Sequence, residues 1–318
     1  MAGLDSASVR VCYDDGYYVA LPEGHPFPMA KFPALLRILQ REGLVVAADI
    51  QQPVSASWEQ LELVHGSDYL VALREGLLDR RAERRMGLPW SVALVERSRL
   101  AVGGTILTAR LALQDGLAAN LAGGTHHAFA DYGEGFCVLN DVAVAIRLLR
   151  AEGALDRALV IDLDVHQGNG TAAIFEDDPK TYTFSMHGAR NFPFEKQRSS
   201  IDVELADQIA DEEYLATLSH HLPHVIRAAG ADLAIYLAGV DPVSGDRYGR
   251  LALTPAGLAG RDGYVLRALC QAGLPTALVL SGGYAPTPEQ TAHLHAYAHR
   301  EAAHIARPPG GAATSMDG

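Results

Sequence analysis

The sequence is poor in cysteine, poor in clustered basic residues and free of long apolar runs, and each shortage removes a class of protein. Its three cysteines, Cys12, Cys137 and Cys270, are odd in number, widely spaced and never paired as CxxC. That pattern speaks against a disulfide framework and a thiolate metal site, and it fits a reducing compartment. Acidic residues outnumber basic ones by 38 to 26, giving a net charge of −12. A phosphate-backbone partner needs a concentrated Lys/Arg surface. The one cluster that stands out, Arg81, Arg84 and Arg85, also holds Glu83 and reads as a solvated helix face. No nucleic-acid partner is therefore expected. No stretch approaches the roughly 20 apolar residues of a membrane span, and Met1 to Asp15 carry no basic stretch followed by an apolar one. The expectation is a cytoplasmic protein without a membrane partner.

What is present is the material of a globular core: 48% of the residues are hydrophobic, 20% are charged, and 31 glycines supply tight turns. The length of 318 residues suits one large α/β domain. That domain is expected over residues 1–306, with a disordered tail over 307–318, which is rich in Pro, Gly and Ala. Apolar runs such as Ala158 to Leu163, Leu233 to Ala238 and Thr276 to Leu280 are continuous, as strands covered on both faces must be. Helical patterns lie between them. One starts at Asp141 and ends before Gly153, one runs from Asp211 to Gly230, and one opens on Thr254-Pro255 and closes at Gly273. Near the front, Phe32, Leu35, Leu36 and Leu39 recur at helical spacing before Gly43. The alternation predicts a three-layer α/β/α fold with a mostly parallel central sheet.

Ligand sites in such sheets gather beyond the carboxyl ends of the strands. After Ala158 to Ile161 come Asp162, Asp164 and His166 with period two, then Gln167-Gly168-Asn169-Gly170. After Leu233 to Ala238 come Gly239-Val240-Asp241; after Leu121 come Gly123-Gly124-Thr125-His126-His127; after Leu280 come Ser281-Gly282-Gly283-Tyr284. Asp164, His166 and Asp241 form a plausible ligand set for Zn²⁺, since two carboxylates and an imidazole leave a coordination position open for chemistry. Fe²⁺ or Co²⁺ would suit the same donors. The bland reading of Asp-x-Asp-x-His is a turn with capping carboxylates. Adjacent histidines outweigh it, because a buried imidazole pair is costly unless it is partnered or moves protons.

These residues resemble the histone deacetylases of the arginase-like fold, and among them the class IV branch most closely. Gly123 to His127 is similar to the family's Gly-Gly-x-His-His motif, Asp162 to Gly170 to its metal loop, Gly239 to Asp241 to the third-ligand segment, and Ser281 to Tyr284 to the segment of the catalytic tyrosine. His25-Pro26-Phe27 and Gly135-Phe136-Cys137 match as well, while His166 to Gly170 and Gly245-Asp246-Arg247 tilt the likeness toward class IV. The resemblance implies that His126, His127 and Tyr284 are catalytic and that Asp162 orients His126. It puts Asn169 where many relatives carry an aspartate, so His127 is expected to be less basic than theirs. It implies Gly135, Phe136 and Phe192 in a substrate tunnel, and a structural K⁺ held by Asp162, Asp164 and Ser185. The implied partner is an acyl-lysine protein or peptide, or a small acylated amine, and the acidic composition would favour cationic peptides or polyamines.

Two other readings compete. An arginase- or agmatinase-like hydrolase needs a second metal and more acids, yet Gly168 follows the metal loop and Pro242-Val243 follow Asp241. An inactive acyl-lysine binding module would lack a ligand, a histidine or the tyrosine, and none is lacking. His220, His221 and His224 on one helix, and His295 and His299 on another, have no carboxylate in their stripe and read as surface positions. Gly168-Asn169-Gly170 lacks the spacing of a nucleotide fingerprint.

Overall fold

The computed structural model describes residues 8–306, so the tail expected over 307–318 lies outside the described residues. Eight strands form one sheet, every pairing in it parallel. In chain order they are β1 (Arg10–Cys12), β2 (Ile50–Gln51), β3 (Leu117–Asn120), β4 (Ala158–Asp162), β5 (Thr181–Gly188), β6 (Ile201–Leu205), β7 (Leu233–Leu237) and β8 (Thr276–Val279). Their order across the sheet is β2-β1-β3-β8-β7-β4-β5-β6. β4, β7 and β8 are buried at every residue, which is why their sequences are unbroken apolar runs rather than alternating ones.

Helices cover both faces: α1 (Lys31–Arg41), α2 (Trp58–Leu61), α3 (Ser67–Glu75), α4 (Arg80–Met86), α5 (Val92–Asp115), α6 (Asp141–Ala151), α7 (Asn169–Phe175), α8 (Asp211–Ala229), α9 (Pro255–Gln271) and α10 (Pro288–Ala306). Alternate residues of β4 divide between two cores. Leu159 and Ile161 pack with Leu35 of α1, Leu218 of α8 and Leu266 of α9. Ala158 and Val160 pack with Ile106 of α5 and Ile146 of α6. The three-layer α/β/α architecture is the expected one.

The helix signals hold with one change of role. Thr254 caps α9, its hydroxyl accepting from Gly257 N at 3.0 Å, and Gly230 closes α8 in the left-handed conformation. At α6 the cap is Asn140, which accepts from Ala143 N at 2.9 Å, not Asp141. Asp141 is fully buried and turns its carboxylate to the loop after β3, where it accepts from Gly124 N at 2.9 Å and Thr125 N at 2.7 Å.

A second correction concerns α10. His220 and His224 are exposed as expected, but His295 and His299 are buried at 1% and 4% exposure. The physical reason is that α10 packs against both α1 and α9. Burial holds both imidazoles below the usual histidine range, His299 at about 4. Neutral rings are what such a setting tolerates.

Candidate active site

Four adjacent central strands, β3, β8, β7 and β4, deliver the histidine pair, the tyrosine and the three candidate metal ligands beyond their carboxyl ends. β4 stops at Asp162, and the chain bends away from the sheet through Leu163 to Gln167. The period-two residues thus leave the strand before they diverge: Asp162 reaches His126, while Asp164 and His166 meet Asp241 from the end of β7. One ligand atom from each of Asp164, His166 and Asp241 lies within 4.8 Å of the others, and all three residues are buried.

The backbone sets the orientation of this triangle. Asp164 Oδ2 accepts from Gly282 N at 2.7 Å and from Ser281 Oγ at 2.8 Å, and its Oδ1 accepts from His166 N at 3.0 Å. Asp241 Oδ1 accepts from Val165 N at 2.9 Å. Asp241 Oδ2 lies 3.3 Å from His166 Nδ1 but has no hydrogen bond among the described residues. An orphaned, fully buried carboxylate oxygen is costly without a cation. Burial, then the neighbouring Asp164 carboxylate, push Asp241 up to about 7. Two carboxylates facing one imidazole in a buried pocket is a donor set that fits a divalent metal ion. Gly282 explains how close the wall comes, since a Cβ there would collide with the carboxylates of both Asp241 and Asp164.

Beside the triangle stand the paired histidines, with ring centroids 4.1 Å apart. His126 Nδ1 lies 2.6 Å from Asp162 Oδ2 and His127 Nδ1 lies 2.7 Å from Asn169 Oδ1. The different partners drive the rings apart in basicity. Burial depresses both, but Asp162 and then Asp164 outweigh it at His126, which rises to about 9. At His127 burial is joined by His126 and His166, and the ring falls well below the usual range. The Asn169 hydrogen bond acts in the opposite sense, raising the ring, and is outweighed.

Tyr284 is anchored through its backbone, its N donating to Asp246 Oδ2 at 2.7 Å. Burial, then the charges of Asp241 and Asp164, raise its hydroxyl well above the normal value, so it stays a hydrogen-bond donor. Its ring lies 5.8 Å from that of Phe136, and Phe192 meets His127 edge to face at 5.0 Å. Phe136, Phe192, Tyr248, Tyr284, His127 and His166 face one cavity of 530 Å³. Gly135 is needed where it is, because a Cβ would come within 2.7 Å of the His127 ring. Ser185 sits opposite Asp162 in the β4–β5 register, and its hydroxyl lies 2.9 Å from His187 Nδ1.

Three supporting residues escape the sequence reading. Asp141 holds the backbone of the histidine loop, and Asp246 holds that of Tyr284. Arg261 of α9, fully buried, donates to the carbonyls of Leu163 at 3.1 Å and Gly239 at 2.6 Å and so ties the ends of β4 and β7 together. Only Asp246 had a signal, the Gly245-Asp246-Arg247 triplet, and that likeness gives it no task.

A histone deacetylase domain model matches residues 25–300. An uncharacterised protein of Picosynechococcus sp. is 49% identical over 292 residues, covering 92% of this chain and 97% of that protein. Histone deacetylase 2 of Arabidopsis thaliana is 31% identical over 290 residues, covering 87% of this chain and 75% of its own length. Among solved structures, an HDAC homolog complexed with SAHA superposes with a TM-score of 0.77 at 26% identity, over 93% of this chain and 84% of that one. By class, this fold and these relatives make the chain an amide hydrolase. It belongs to the histone deacetylase family.

Proposed function

We propose that residues 1–306 form a single catalytic unit, a zinc-dependent deacylase of the class IV type that cleaves acyl-lysine in a protein or peptide. The observation that carries this reading is the buried Asp164–His166–Asp241 triangle, with an orphaned carboxylate oxygen, at one aromatic-walled cavity with His127 and Tyr284. Asp164, His166 and Asp241 would hold the metal ion, which when bound polarises an acyl carbonyl and makes water more acidic. Asp162, Asp164 and Ser185 would hold a structural K⁺, a reading supported by Ser185 lying opposite Asp162 in the β4–β5 register.

The chain's own residues divide the proton work. His127, kept neutral, takes the proton of the attacking water at Nε2. His126, held protonated by Asp162, supplies a proton toward the departing amine. The Tyr284 hydroxyl donates to the tetrahedral oxyanion. Phe136 and Phe192 pack along the lysine stem and exclude water.

Two features support these choices over their rivals. Arg84, Arg85, Arg190 and Arg250 line the cavity with Glu134, and only Arg190 and Arg250 share a further acid, Asp207, so the mouth offers a polycation no acidic cluster. Against an arginase-like pair of metals, the described residues hold one cluster of metal-ligating type, and a side chain at Gly168 would run into Asp162.

The test is a panel of lysine peptides carrying acyl chains of graded length, with acetylpolyamines beside them, offered to zinc-loaded protein. Acid release from the peptides is expected, lost on chelation and regained with Zn²⁺. No release from any substrate would favour the binding-module reading, and about two metals per chain by elemental analysis would revive the arginase-like one.

A further inference from the structure

Asn169 makes a second hydrogen bond, and it runs outward. While Oδ1 faces His127, its Nδ2 donates to Glu134 Oε2 at 2.8 Å. A side-chain amide can be turned end for end at little cost unless its neighbours distinguish oxygen from nitrogen. A carboxylate does so, because it only accepts. With Nδ2 committed to Glu134, Oδ1 must face the histidine, and an oxygen there requires the proton on His127 Nδ1. Nε2 is then left with its lone pair.

Glu134 is itself fixed by an unusual turn. It exchanges both backbone hydrogen bonds with Cys137, at 3.0 and 2.8 Å, across Gly135 and Phe136, whose φ angles are +55° and +66°. This is the type I′ arrangement, natural for glycine and strained for phenylalanine. The two central amides donate to carbonyls at the end of α4, Gly135 N to Arg85 O at 3.2 Å and Phe136 N to Met86 O at 2.8 Å. One short hairpin therefore places the Phe136 ring in the tunnel and the Glu134 carboxylate against Asn169.

We propose that Glu134 is a positioning residue for the reaction. Through the Asn169 amide it sets the tautomer of His127, with no charge placed directly on the imidazole. The inference rests on the deacylase reading of the same site, but its physical content, which ring nitrogen carries the proton, is independent of turnover.

The experiment exchanges the two groups in the full-length protein. Glu134→Gln lets the amide at 169 face either way, and Asn169→Asp sets two carboxylates against each other. The double variant E134Q/N169D restores a donor–acceptor pair in reverse, with an oxygen again facing His127. Each single change is expected to lower kcat about 10- to 100-fold with little effect on KM, and the double variant to recover most of the loss, a coupling that a structural surface role would not produce. The second readout is the ¹⁵N resonances of the His127 ring in metal-free protein, assigned with His127→Gln: Nδ1 protonated in the parent, mixed tautomers in Glu134→Gln. Additive losses, or an unchanged ring tautomer in Glu134→Gln, would overturn the proposal. An inactive parent protein would count against the deacylase reading alone, and the ring resonances would then decide the role of Glu134.

Discussion

At the scale of single residues, Tyr284 is held by its main chain, which leaves its hydroxyl for the proposed chemistry. Its backbone N is fixed by Asp246, and its ring packs among Phe27, Phe136 and Tyr248. Tyr284→Phe keeps all of that and removes only the hydroxyl. Turnover is expected to fall about 10²- to 10³-fold, the usual cost of one oxyanion donor, with the thermal midpoint unchanged. Parent-level kcat in that variant would take Tyr284 out of the mechanism. The tyrosine, the histidine pair and the candidate ligand carboxylates were legible in the sequence because each follows an apolar run, with glycines close by. Asp141 and Asp246 were not, because what they do depends on a backbone that only the folded chain brings near. Asp141 even sits where a helix cap belongs, and nothing local says that Asn140 takes that task instead.

At the scale of elements, the ends of β4 and β7 are joined by a side chain from α9. Arg261 bridges the carbonyls of Leu163 and Gly239 and pairs with Asp262, which also accepts from the Tyr236 hydroxyl at 2.6 Å. Arg261→Met leaves the buried Asp262 charge and two carbonyls without a partner. The expected loss is about 3–5 kcal/mol in urea unfolding, the usual cost of breaking a buried pair, together with faster metal release to a chelator. Arg261→Lys should rescue little, since a point donor cannot span both carbonyls. A loss under about 1 kcal/mol in the methionine variant would show that the strand ends hold without this tie. α10 shows the complementary limit of sequence reading. His295 and His299 looked like surface residues for want of a nearby carboxylate. The overlooked signal was Ala292, Ala296, Ala302 and Ala303 along the same helix, small residues that let α1 and α9 approach closely.

Across the whole molecule, buried neutral histidines make stability depend on pH. His65 lies between fixed backbone partners, its Nδ1 facing the carbonyls of Phe129 and Ala130 and its Nε2 accepting from Asn140 N at 3.0 Å. Burial holds His65 and His299 at about 4 and His187 at about 3. An unfolded chain would protonate them near 6.5. These groups stabilise the fold fully above that value, and the contribution drains away as pH falls toward 4, up to about 3 kcal/mol for each of His65 and His299. His126, held high by Asp162, adds little slope there, because both states already carry the proton. The urea midpoint is expected to drop steadily between pH 6.5 and 4.5, and a flat midpoint across that window would contradict the neutral assignment. Among the described residues no helix is long and apolar enough to cross a membrane.

The position of β8 carries a consequence for how the protein is made. It lies between β3 and β7, so within the sheet it alone joins the half that ends in the histidine pair to the half that ends in the candidate metal ligands. It is also the last strand in chain order among the described residues. A nascent chain halted before Thr276 would hold both halves of its chemistry with no seam between them. The two halves of the candidate site can be locked together in the sheet only after Thr276–Val279 has been made.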